Sequence, residues 1–169
     1  ALKRWNDLNQ SRAPPCLAKL WQHTLYKTPC PVTPIMMLND FNGLLQAAGQ
    51  QTEPQRLLFV FVKADLPESP TADQHARHSN GEGGTLSPVL CVDKAPQEIA
   101  SFQTLAAESA QTGLVWDLVF VASLDGRGGI APSSDEATQP LRLMVNAVND
   151  GQISRFAAFD RDGTPVQFY

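Results

Sequence analysis

A chain of 169 residues that is 43% hydrophobic and 18% charged has the make-up of one ordinary globular domain with a sizeable core. Its formal net charge of −4 lacks the basic excess that a general nucleic-acid binder needs, so no nucleic-acid partner is expected. No stretch nears the roughly 18 consecutive apolar residues of a membrane span, and no apolar leader with a small-residue cleavage site is visible, so the expectation is a cytoplasmic protein without a membrane partner.

Residues 1–35 differ from the rest. They carry five basic residues (Lys3, Arg4, Arg12, Lys19, Lys27) against one acidic residue, Asp7, a net of +4. The other 134 residues carry 8 basic and 16 acidic, a net of −8. Pro14, Pro15, Pro29, Pro31 and Pro34 interrupt any helical period there. The first methionines, Met36 and Met37, stand just before a well-formed helix signal. Residues 1–35 therefore read as an atypical basic N-terminal extension, upstream sequence foreign to the native protein, with the domain proper at 36–169. The rival reading is a basic arm that binds an acidic partner.

Asn39 or Asp40 can cap a first helix with Phe41, Leu44, Leu45 and Ala48 on one face and Gly49 as its stop. Residues 57–62, 88–92 and 118–122 are short runs rich in β-branched and aromatic side chains, and each reads as a strand buried on both faces. A long connection over 63–87 and a helical stretch after Pro96 separate them. In that stretch Ile99, Phe102, Leu105 and Ala106 form the buried stripe and Gly113 the stop. This alternation predicts parallel strands joined by crossovers. Ser133 and Glu136 have capping-box spacing, Pro140 is expected to break or restart the helix, and Leu141, Met144, Val145 and Val148 repeat at helical spacing. Residues 154–159 and 164–168 read as a hairpin around Asp162-Gly163. The expected fold is a single α/β domain. Its mixed sheet has about five strands, three of them parallel, with a C-terminal β-hairpin and flanking helices.

In an open parallel sheet, ligands bind outside the carboxyl ends of the strands. Those ends would carry Lys63, Asp93 with Lys94, and the loop Gly126-Arg127-Gly128-Gly129. Backbone N–H groups of that loop could approach an anion, with Arg127 as a bidentate fork. The competing reading is a turn that needs glycine dihedrals with Arg127 in solvent, and Asp135 and Glu136 would repel an anion at the next helix N-terminus. No metal site or cofactor is expected. His75 and His78 lack converging partners, and Asp160-Arg-Asp162-Gly163 has its glycine two places early for a calcium loop. Of three cysteines (Cys16, Cys30, Cys91), Cys91 sits in an apolar strand and reads as a structural thiol in a reducing compartment. Asp117 lies at the start of a strand, the wrong end for a site of this kind.

From Met36 onward the chain resembles a group of small uncharacterised bacterial proteins that often carry the name ribonucleotide reductase subunit alpha. The residues behind this are Pro54-Gln-Arg-Leu-Leu-Phe-Val-Phe61, Gly81-Glu-Gly-Gly84, Cys91-Val-Asp-Lys94, Gly126-Arg-Gly-Gly129 with Pro132-Ser-Ser134, and Phe159-Asp-Arg161. The resemblance implies a compact protein with no assigned chemistry. Reductase catalysis needs a cysteine trio and a C-terminal cysteine pair, and only Cys91 follows Met36. The functional expectation is a non-catalytic module that binds or regulates a protein partner. The alternative is a small-anion or nucleotide-binding domain, or an enzyme, with its site at Lys63, Asp93, Lys94 and Gly126–Gly129.

Overall fold

The computed structural model describes residues 3–4, 40–65 and 85–168. The His75 and His78 pair, and Cys16 and Cys30, lie outside the described residues. So does all of the N-terminal extension except Lys3 and Arg4.

Helix α1 (Phe41–Gly49) starts where Asp40 accepts the Gly43 N–H at 2.7 Å, and it buries Phe41 and Leu44. Strands β2 (Gln55–Asp65) and β3 (Thr85–Lys94) follow. After β3 the chain makes one 3₁₀ turn (Pro96–Glu98), in which Glu98 accepts the Ala95 N–H at 2.6 Å. The helix expected from Pro96 does not run on. Ile99 is extended, and Ser101 caps a separate helix α2 (Phe102–Ala110) through the Thr104 N–H. Strand β4 (Leu118–Asp125) leads to helix α3 (Ser134–Asn149), capped by the reciprocal Ser133 and Glu136 bonds. That helix is continuous through Pro140, where a break was expected. Strands β5 (Ala157–Asp160) and β6 (Pro165–Val166) form the expected hairpin, shorter than the sequence suggests. Its turn places Gly163 at φ +82°, and a Cβ there would meet the Phe102 ring at 2.9 Å. Glycine is needed on both counts.

With the two-residue β1 (Lys3–Arg4), the described strands form one sheet in the order β1-β3-β2-β4-β5-β6. Every neighbouring pair is antiparallel. The expected set of three parallel strands is therefore wrong. β2 runs down the centre, with Leu58 opposite Asp93 on one side and Ala122 on the other. A crossover does exist: β3 and β4 point the same way and α2 joins them, but β2 lies between them with opposite polarity.

The continuous apolar runs have another origin. Leu57, Phe59 and Phe61 face one core with Phe41, Phe102, Leu105, Trp116 and Phe159, under α1 and α2. Leu58, Val60 and Val62 face a second core with Phe120, Ala137, Leu141, Val145 and Val148, under α3. Helices on both faces make an antiparallel strand apolar on both sides, so the runs report two-sided burial and not strand direction. No helix among the described residues is long and apolar enough to cross a membrane.

Candidate functional site

The antiparallel sheet divides the residues expected at one edge. Asp93, Lys94 and Gly126–Gly129 gather at the end where Gln55 and Arg56 open β2, because Asp93 stands opposite Leu58 and Asp125 opposite Gln55. Lys63 stands near the other end of β2, opposite Ser87. At ~3.4 Å per residue it lies about 17 Å along the strand from the position facing Asp93. It pairs there with Asp65 at 2.6 Å, which raises the ammonium pKa above its ordinary value. The three basic groups do not converge.

The residues that do gather are each bound to other parts of the fold. Asp93 is buried and accepts from Arg56 Nε at 3.0 Å and from the Ser134 hydroxyl at 3.0 Å. It ties β2, β3 and the first residue of α3 together on the α3 face of the sheet. Lys94 meets Glu108 of α2 at 2.6 Å. Gly126–Gly129 opens with Gly126, whose N–H donates to the Pro54 carbonyl at 2.8 Å. A Cβ there would stand 2.3 Å from the Ile130 carbonyl oxygen and 2.7 Å from that of Pro54. Arg127 and Ile130 then exchange backbone bonds of 3.1 and 3.2 Å around Gly128 and Gly129, at φ +60° and +77°. This is the geometry of a tight two-residue hairpin turn. The Gly129 N–H donates to the Glu53 carboxylate at 2.7 Å, so a carboxylate already occupies the anion side of the turn. Arg127 adds to the field that, after the Ser133 bonds, holds the Glu136 carboxyl below its ordinary range.

Two other polar candidates also close on the fold. Asp117 accepts the Ala64 N–H at 3.0 Å, and its own N–H donates to the Val62 carbonyl at 2.8 Å, fastening the start of β4 to β2. Asp160 accepts the N–H groups of Asp162 and Thr164 at 2.9 Å each, so its carboxylate braces the hairpin turn. Among the described residues no cluster of three or more metal-ligating side chains occurs.

A groove of about 400 Å³ lies between the C-terminal half of α2, residues 113–116 and Arg161 of the β5–β6 turn. Ala106 and Ala110, one turn apart on α2, leave its wall low, and Val115 stands 58% exposed at its edge. Trp116 lies beneath, its indole N–H donating to the Ser109 hydroxyl at 2.8 Å. Arg161 Nε donates to the Trp116 carbonyl, and its guanidinium carbon sits 5.9 Å from the Trp116 ring centroid. No acidic side chain among the described residues forms an ion pair with Arg161. Sequence reasoning missed this site. Nothing in the sequence marks Trp116 or Arg161 as a pair, and only the fold brings residues 45 apart into contact. Comparison of the chain with protein-family models, curated proteins and solved structures gives no match.

Proposed function

We propose that the protein is a small non-catalytic binding module of the cytoplasm that engages a protein partner at the groove between α2 and the β5–β6 turn. One observation carries the reading: a guanidinium fixed on Trp116, without an acidic partner among the described residues, edges an apolar depression with Val115 exposed beside it. Uncompensated charge next to exposed aliphatic surface is the composition of a recognition patch, and arginine and aromatic residues are its frequent anchors. At the Asp93 end of the sheet, Arg56, Asp93, Lys94 and Glu53 have structural partners within the fold, which favours the groove over that end. Cys91, buried in β3, suits a reducing compartment.

The test is site-specific photo-crosslinking in cells, with a benzophenone amino acid at position 115 and, as control, at the equally exposed Leu143 on the far side of the sheet. The expected result is a discrete polypeptide adduct from position 115 and none of that mass from position 143. Identical adducts from both positions, or none from position 115, would remove the groove as a partner site.

A further inference from the structure

We propose that the segment taken by this groove is acidic and aliphatic: a short stretch of a partner polypeptide whose carboxylate pairs with Arg161 while a branched apolar side chain lies on Ala106, Ala110 and Leu114. The proposal rests on the groove being the partner site and names the chemistry of its occupant.

The polar groups of the groove select the charge. The Trp116 indole N–H is spent on Ser109, whose hydroxyl in turn donates to the Ala106 carbonyl at 2.7 Å. The indole therefore offers a ligand no donor, and the remaining side-chain donor among the lining residues is Arg161. Of the five Arg161 N–H groups, the one on Nε is held by the Trp116 carbonyl. Asp160 is engaged in its own turn, Glu108 with Lys94 and Asp117 with the Ala64 N–H, and neither these nor the adjacent Asp162 forms an ion pair with Arg161. The terminal amino groups of Arg161 thus meet no ion-pairing carboxylate among the described residues. A guanidinium held by a hydrogen bond and a ring face loses little freedom on pairing, and its planar fork matches a carboxylate.

Shape selects the rest. The two alanines, Leu114 and the Gly113 turn present small or apolar surface, and about 400 Å³ accommodates two or three side chains. A basic segment would set its cation against Arg161, and a purely polar one would leave the alanine wall uncovered. One ion pair with so little apolar burial gives a dissociation constant on the order of 0.1–1 mM.

The experiment is a heteronuclear NMR titration of the full chain with a terminally blocked octapeptide that alternates aspartate and leucine. An asparagine–leucine peptide, inorganic phosphate and acetate are run beside it. Saturable shifts are expected at the amides of residues 113–116 and at the Trp116 indole, with about tenfold weaker binding of the asparagine peptide. Arg161→Gln should weaken the aspartate peptide about tenfold and leave the asparagine peptide unchanged. Val115→Asp, which touches none of the Arg161 bonds, should weaken the aspartate peptide similarly, so the test survives if Arg161→Gln fails to fold. Equal binding of the two peptides at the groove would overturn the acidic chemistry while leaving the groove a docking site. Shifts confined to other surfaces, or equal shifts from phosphate or acetate alone, would overturn the segment itself. The reading of the groove as a partner site stands or falls separately, on the crosslink from position 115.

Discussion

Asp93 has only 2% of its side chain exposed and is held by Arg56 from the neighbouring strand and Ser134 from the helix above. Removing the carboxylate leaves the Arg56 guanidinium partly buried without its partner, which is the costly way to break such a pair. Asp93→Ala should lower unfolding stability by about 3 kcal/mol in urea titration, and Arg56→Met combined with Asp93→Leu should recover most of that loss. Gly126 is constrained by contact and not by dihedral. Its φ is ordinary, but a Cβ would press on two backbone oxygens that cannot give way. Gly126→Ala should therefore cost more than about 2 kcal/mol, whereas Gly128→Asn, in open space at φ +60°, should stay within about 0.5 kcal/mol of the native protein. The residue types at this end of the sheet were legible in the sequence. Their partners were not, because Arg56 and Asp93 are 37 positions apart and Asp93 and Ser134 are 41.

Helix α3 combines a strong start with a flawed middle. Ser133 and Glu136 cap it, and the Glu136 carboxyl is held below its ordinary value of 4.5 first by the Ser133 backbone N–H, then by the Ser133 hydroxyl. A carboxyl whose folded pKa is depressed stabilises the fold above its ordinary value and loses that contribution as pH falls through the lower folded one. The melting temperature of the native protein should thus fall toward that of Glu136→Gln as pH drops below about 4.5, with the gap widest near neutrality. Pro140 removes an N–H that would bond the Glu136 carbonyl, yet Ala137, Leu141, Met144, Val145 and Val148 bury enough surface to keep the helix whole. Pro140→Ala should stabilise the protein by about 1–2 kcal/mol, the regained hydrogen bond being partly offset by a freer unfolded chain, as a denaturant midpoint would show. The expected break at Pro140 failed because local propensity yields to an amphipathic face that already has its sheet to cover. The strands, in contrast, were legible nearly to their centres, since side chains alternate with period two whatever the neighbour's direction.

At the scale of the molecule, strand direction was the part hidden from the sequence. A helix between two apolar runs signals a crossover, and α2 does cross from β3 to β4, but nothing local to those runs reveals that β2 slips in between. With β2 reversed, its carboxyl end leaves the common edge, Lys63 goes with it, and the expected anion site dissolves into separate ion pairs. The same sheet bears on the basic extension. Lys3 and Arg4 pair with Cys91 and Leu90 on the outer side of β3, two positions of a ten-residue strand. Their backbone bonds replace bonds to water, and each such exchange contributes about 1 kcal/mol or less. The two cores lie over β2, β3 and β4, and among the described residues their members all come from position 41 onward. A chain beginning at Met36 should therefore fold, with a stability within about 2 kcal/mol of the full chain and an unchanged urea m-value. A larger loss, or an m-value lowered by a fifth or more, would show that residues 1–35 pack on the domain beyond the two paired positions and belong to its cooperative unit.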